Sequence, residues 1–170
     1  RKSLGQNFLI DHNLLKRLLD AANIAAGDLV LEVGPGTGTL TDGLLERGAN
    51  VVACELDEGL ADLLAERYEA VGDRFTLIRG DCLAGKHELN PALHKALDDR
   101  TFKLVANLPY GAASPLMVLL SGEEECEGQF VTIQREVARR VMAHPNTRDY
   151  SELSVLIQAM CEVHRLATLP

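Results

Sequence analysis

What this 170-residue chain lacks narrows its function before any motif is read. No apolar run approaches the ~20 residues that a membrane span needs. Arg1-Lys2-Ser3-Leu4 is followed by no apolar core of a signal peptide, so a soluble, cytoplasmic protein is expected. Four cysteines (Cys54, Cys82, Cys126, Cys161) form no C-x-x-C pair, so neither zinc ligation nor any other metal site is expected and the thiols read as reduced, core or semi-buried residues. Basic residues are scarce: 17 Lys and Arg face 25 Asp and Glu, a net charge of −8. That balance counts against a nucleic-acid partner, because phosphate binding draws on Lys and Arg. Half of the excess lies in Glu123-Glu124-Glu125-Cys126-Glu127, which reads as a solvated loop. Basic residues gather instead at Arg1, Lys2, Lys16 and Arg17, and at Arg135, Arg139, Arg140 and Arg148, so charge segregated by face remains open.

With 46% apolar and 25% charged residues, the composition is that of one globular domain. Asp11 precedes an i, i+3/i+4 stripe of Leu14, Leu15, Leu18, Leu19 and Ala22, an amphipathic helix. Apolar runs at 29–33, 50–55, 75–79, 102–106 and 130–133 read as strands, with a last one at 163–167. Helical patterns separate them at 40–47, 58–71, 88–97, 115–120, 136–143 and 153–160. Alternating strands and helices predict a mostly parallel twisted sheet covered on both faces. Ligands of such sheets bind beyond the carboxyl ends of the strands. Polar or glycine-rich residues stand at those positions: Gly34–Gly38, Glu55, Asp81 and Asn107.

Gly34, Gly36 and Gly38 allow a sharp turn and close approach of backbone to ligand, and the helix that follows aims N–H groups at the same place. A glycine-rich strand-to-helix turn alone fits nicotinamide, flavin and adenosylmethionine proteins equally. The spacing here is G-x-G-x-G behind acidic Glu32, not the dinucleotide pattern G-x-G-x-x-G. Glu55 closes the second strand, where a carboxylate can accept both ribose hydroxyls of an adenosyl group. Asp57 fits the role of helix cap better than Glu55 does. Asp81, with Cys82 beside it, follows the third strand, where its carboxylate can accept from an adenine amine.

Asn107-Leu108-Pro109-Tyr110 carries the most specific chemistry. The lone pair of adenine N6 is delocalised into the ring. Two acceptors that bind both amine hydrogens favour a pyramidal nitrogen and free that lone pair for in-line attack on a methyl sulfonium. An Asn side-chain oxygen and a backbone carbonyl fixed by proline supply them, and the aromatic stacks on the extruded base.

Lys2-Ser3-Leu4-Gly5-Gln6-Asn7-Phe8-Leu9, Glu32-Val33-Gly34-Pro35-Gly36-Thr37-Gly38-Thr39-Leu40-Thr41, Asn107-Leu108-Pro109-Tyr110 and Gln134-Arg135-Glu136-Val137-Ala138 occur in order along essentially the whole chain. Together they resemble the ribosomal RNA adenine N6,N6-dimethyltransferase family. The resemblance implies a Rossmann-like class I methyltransferase fold over residues 1–170, S-adenosylmethionine as cofactor, and the ribosomal RNA of the immature small subunit as partner. It implies a monomer, with a possible role in ribosome assembly. Asn7, Leu9, Gly36, Gly38 and Cys82 would belong to the donor site, in which Gly34 would contact the methionine end, Glu55 the ribose and Asp81 the adenine. Asn107 would lie between donor and target, and Tyr110 would stack on the target base. Arg135, Arg139 and Arg140 would meet RNA phosphate. The family continues beyond this point into a Pro- and Phe-containing segment and a small helical domain. Gly111-Ala112-Ala113 also stands where bulkier or polar residues are common. The chain alone is therefore expected to bind the donor but to methylate poorly.

Rival readings differ at named residues. Large-subunit rRNA methyltransferases of the macrolide-resistance type more often have Ile at the Leu108 position, and DNA adenine methyltransferases have Pro there. An assembly or transcription factor would have no need of an intact Asn107–Tyr110. An oxidoreductase needs a His or Lys near the strand ends, where His12, His87, His94, His144 and His164 do not stand.

Overall fold

Side chains alternate between the two faces of a strand, and in this chain both faces are apolar, which fixes a three-layer architecture. The computed structural model describes residues 12–85 and 87–168. Its central sheet holds β1 (Leu29–Val33), β2 (Asn50–Glu55), β3 (Phe75–Arg79), β6 (Phe102–Asn107) and β7 (Cys126–Thr132) in the order β3-β2-β1-β6-β7. All four pairings are parallel. This is the doubly wound, Rossmann-like arrangement predicted from the sequence.

Leu29, Leu31 and Val33 point to one side with Val52, Cys54, Leu104 and Ala106. There they meet α4 (Pro91–Leu97), α5 (Ala113–Ser121) and α7 (Glu152–Met160) through Leu93, Leu116, Leu120 and Ile157. Val30, Val51, Ala53 and Val105 point to the other side. They are covered by α1 (His12–Ala22), α2 (Thr39–Glu46) and α3 (Glu58–Arg67) through Leu18, Leu19, Leu44 and Leu64. The order reverses between β1 and β6, so the chain passes to opposite sides there and leaves a crevice at the carboxyl ends of those two strands.

Four elements differ from the sequence expectation. The strand expected at 130–133 runs from Cys126 to Thr132, so Cys126 and Glu127 of the acidic run join the sheet instead of a loop, pairing alongside β6. The helix predicted from residue 88 starts at Pro91. Proline pushes the residue before it out of the helical region, and the Asn90 side chain caps the helix by accepting from the Ala92 N–H at 2.9 Å. Glu88–Leu89 (β5) pairs instead with Leu83–Gly85 (β4) in a small antiparallel ladder. The helix predicted to reach Val71 ends at Arg67, and a 3-10 turn over Glu69–Arg74 follows, broken at Gly72 with φ of 65°. The strand predicted at 163–167 does not form. Residues 161–168 pair with no strand among the described residues, and Arg17 donates to the Leu166 carbonyl at 2.6 Å instead. The remaining helix, α6 (Arg135–Val141), follows directly from β7.

Candidate functional site at the carboxyl edge of the sheet

Read across the sheet, the carboxyl ends of the five strands present Asp81, Glu55, Gly34–Gly38, Asn107–Tyr110 and Thr132 in that order. The two glycine- and proline-containing motifs touch at the crevice. A Cβ placed on Gly34, whose φ is +70°, would lie 3.4 Å from Pro109 Cδ and 3.9 Å from the Asn107 carbonyl oxygen. The loop after β1 and the tetrapeptide that closes β6 thus lie side by side, close enough that any side chain at position 34 would touch Pro109.

The loop is held from two sides. Glu55, 3% exposed, accepts from the Gly36 N–H at 3.1 Å through one carboxylate oxygen and from the Asp57 N–H at 2.9 Å through the other. Asp57 caps α3 by accepting from the Leu60 N–H at 3.0 Å, the division of labour the sequence suggested. From the far side, Arg67 donates to the Thr37 carbonyl at 3.0 Å and pairs with Asp42. The Tyr68 hydroxyl lies 2.8 Å from the Gly38 carbonyl oxygen and 2.7 Å from Asp42 Oδ1. Burial and the neighbouring Asp42 carboxylate push the Tyr68 hydroxyl above its ordinary pKa, so it stays a donor. Gly38, at φ +91°, lies directly beneath that ring. Sequence reading missed Arg67 and Tyr68, whose partners lie 25 to 30 positions away.

Glu32, the penultimate residue of β1, is 1% exposed. Its Oε2 accepts from the Thr41 hydroxyl at 2.7 Å, and its Oε1 has no hydrogen-bond partner among the described residues. Burial above all, then the charges of Asp42 and Glu55, push its carboxyl up to about 8 despite the Thr41 bond. The folded protein therefore keeps a proton that an unfolded chain releases near 4.5. The stabilisation is complete below that pH and is lost as pH rises through about 8. Between pH 6 and 9 the native chain should lose on the order of 2–3 kcal/mol relative to Glu32→Gln, which cannot ionise. Paired denaturant titrations at the two pH values check this. Equal pH dependence of the two proteins would mean that Glu32 is charged when folded.

Asp81 is exposed and takes part in its own turn: Oδ1 accepts from the Leu83 N–H at 3.0 Å, and Asn90 donates to its carbonyl at 2.7 Å. Cys82 is buried, and burial pushes its thiol up to about 12, so its side chain belongs to the core and only its backbone faces the edge. In the tetrapeptide, Leu108 is 4% exposed and anchors the motif in the core, which leaves its backbone as the only group available to a substrate. Tyr110, 48% exposed, projects beside it. Asn107 Oδ1 accepts from the Thr132 hydroxyl at 2.6 Å. Thr132 was not singled out in the sequence, because the fifth strand was read as ending one residue later.

Of the three arginines, Arg135 and Arg139 are exposed and form no ion pair among the described residues. Arg140 is half-buried and donates to the Ser151 hydroxyl at 3.3 Å, tying α6 to the start of α7. Asn7 and Leu9 lie outside the described residues. All five histidines are exposed, and none stands in this edge.

A family model described as ribosomal RNA adenine dimethylase matches residues 1–170. The ribosomal RNA small subunit methyltransferase A of Clostridium perfringens is 42% identical over 172 residues, covering 99% of this chain and 58% of that protein. Its counterpart from Clostridium botulinum is 43% identical, covering 94% and 56%. The chain thus spans somewhat over half the length of the curated relatives it matches. Among solved structures, a dimethyladenosine transferase from Plasmodium falciparum superposes with a TM-score of 0.73 at 26% identity, covering 92% of this chain and 54% of that one. The 23S rRNA methyltransferase ErmE superposes with a TM-score of 0.65 at 29% identity, covering 85% and 52%.

Proposed function

Since the chain belongs to the ribosomal RNA adenine dimethylase family, we propose that residues 1–170 are the catalytic domain of an enzyme that methylates adenine N6 in small-subunit ribosomal RNA, using S-adenosylmethionine. The observation that carries the cofactor assignment is the Glu55 carboxylate on the Gly36 N–H. A dinucleotide site needs its loop N–H groups and the helix N-terminus free for pyrophosphate. Here a carboxylate occupies the loop, with Asp42 in the first turn of α2, and a phosphate would meet negative charge. An adenosyl group without phosphate offers the opposite chemistry: ribose hydroxyls and an adenine amine donate, and Glu55 and Asp81 accept. Glu55 keeps further lone pairs for the ribose beyond those it gives to the backbone. The residues present fit adenosylmethionine.

When bound, that group supplies an electrophilic methyl carried on a sulfonium. The closeness of Gly34 to Pro109, where a Cβ would come within 3.4 Å, sets the loop that would hold it beside the tetrapeptide that holds the acceptor. Asn107 Oδ1 and the Leu108 carbonyl accept the two hydrogens of the adenine amine and turn its lone pair toward the loop. Tyr110 stacks on the base and keeps it out of the RNA stack. The glycine loop and Glu55 would hold the donor as it supplies its methyl to N6 and retains the sulfur as a neutral thioether. The alkylated nitrogen is then cationic and gives its proton to solvent, so no strong base is required.

Arg135 and Arg139 extend the same edge along α6, beginning three residues after Thr132, and supply the cations that the overall charge of −8 does not. The small subunit is favoured over the large: relatives named for the former are 42–43% identical over 94–99% of this chain, and the dimethyladenosine transferase superposes with a TM-score of 0.73 against 0.65 for the 23S enzyme. The enzyme acts as a monomer on the immature subunit in the cytoplasm, and no described helix is long and apolar enough to cross a membrane. Isothermal titration checks the cofactor. Adenosylmethionine or its demethylated product should bind and NAD should not, whereas NAD binding without adenosylmethionine binding would overturn the assignment.

A further inference from the structure

We infer that Thr132 is a positioning residue for the methyl transfer, its hydroxyl holding the Asn107 amide with the oxygen in place to receive the target amine. The inference rests on the role proposed above for Asn107.

Asn107 and Thr132 are register partners at the carboxyl ends of β6 and β7. Two bonds tie Thr132 to the tetrapeptide: its carbonyl accepts from the Leu108 N–H at 3.0 Å, and its hydroxyl donates to Asn107 Oδ1 at 2.6 Å. One residue therefore fixes both the backbone and the side chain of the groups that meet the substrate.

The side-chain bond matters because an Asn amide is nearly two-fold symmetric in shape. Its last torsion is broad, and a half-turn exchanges oxygen for nitrogen. With the amide reversed, an NH2 group would face the target amine, donor against donor, and the site would lose an acceptor. Reversal would exchange this bond for one in which the amide NH2 donates to the hydroxyl oxygen, and would leave the hydroxyl proton with no acceptor among the described residues. That unsatisfied proton shifts the orientation equilibrium toward the productive state by roughly fivefold. A carbonyl oxygen has two lone pairs, so a bond from Thr132 and a bond from the substrate amine are compatible. Sharing the oxygen weakens each bond by a fraction, whereas a reversed amide contributes no acceptor at all. Orientation outweighs sharing.

The test uses the protein as encoded, with Thr132→Val, which keeps the shape and β-propensity, and Thr132→Ser, which keeps the hydroxyl. Thr132→Val should lower kcat roughly fivefold with adenosylmethionine affinity within twofold of wild type, and Thr132→Ser should restore kcat. Independently of activity, the Asn107 side-chain amide resonances of the free protein should move in Thr132→Val and stay in Thr132→Ser. A Thr132→Val kcat at or above wild type, a fall in donor affinity parallel to kcat, or unmoved Asn107 resonances would each overturn the inference. Asn107→Ala, assayed alongside, separates the two levels. If it still transfers methyl groups, the role of Asn107 itself falls. If it is inactive while Thr132→Val is fully active, only the role of Thr132 falls.

Discussion

Replacing Asn107 by alanine is expected to lower methyl transfer about 100- to 1,000-fold while the affinity for adenosylmethionine changes by less than threefold. The magnitude is that of removing one preorganised polar group from a transition state. Asn107 Oδ1 is asked to hold an amine hydrogen most tightly as N6 becomes pyramidal, so its loss falls on kcat and not on donor binding. The fold should tolerate the change. Leu108 anchors the tetrapeptide in the core, and its N–H still bonds to the Thr132 carbonyl. The Thr132 hydroxyl loses its partner, a cost of about 1 kcal/mol at a half-buried position. Single-turnover assays with saturating donor, set beside calorimetric titration, give the two numbers. A variant that lost donor binding in proportion to transfer would place Asn107 in the donor site alone.

Gly38→Ala should produce the converse pattern, with donor binding lost first. A Cβ at this position would stand 2.3 Å from the Tyr68 hydroxyl oxygen and 3.1 Å from two ring carbons. At φ +91° the alanine also carries the left-handed penalty of about 1–2 kcal/mol. Moving Tyr68 aside breaks its contacts with the Gly38 carbonyl and Asp42, on the order of 1–3 kcal/mol for buried partners. The sum, about 2–5 kcal/mol, corresponds to a drop in Tm on the order of 10 °C for a domain of this size. Adenosylmethionine affinity should fall more than tenfold, because the loop that carries Gly34 and Gly36 is anchored at Gly38. Adding Tyr68→Phe removes the oxygen at 2.3 Å and should recover part of the Tm, though not the backbone strain. No recovery in the double variant would assign the whole effect to φ.

The framework was legible because the physics behind it is local. Compact apolar runs at 29–33, 50–55 and 102–106 mark buried strands, and sheets of this kind collect ligands at the strands' carboxyl ends. Glu55, Asp81 and Asn107 followed directly from that rule. Elements whose limits depend on tertiary partners were harder to read. Pro91 looked like a first-turn residue, yet the pairing of Glu88–Leu89 with Leu83–Gly85 claimed the residues before it. The run at 163–167 suggested a last strand, but a strand exists only where a neighbouring backbone takes its hydrogen bonds. The supports of the site lay further from view. Tyr68 meets Gly38 across 30 positions, and Thr132 meets Asn107 across 25. Nothing in the sequence near either residue marks such a contact.

The glycine loop also proved to differ from its simplest reading. Its spacing suggested a helix N-terminus open to a ligand, whereas the folded loop already has a carboxylate on the Gly36 N–H. That occupancy separates an adenosyl donor from a dinucleotide more sharply than spacing does.

The central claim, that this edge delivers a methyl group to adenine N6, is tested most directly by supplying the protein as encoded with methyl-labelled adenosylmethionine and immature small subunits. The RNA is then digested and the labelled nucleosides identified by mass spectrometry. The account predicts label on the exocyclic nitrogen of adenine in small-subunit RNA, as N6-methylated or N6,N6-dimethylated adenosine. Label on a ribose, on a ring nitrogen or on another base would contradict it, as would donor binding with no label in any RNA.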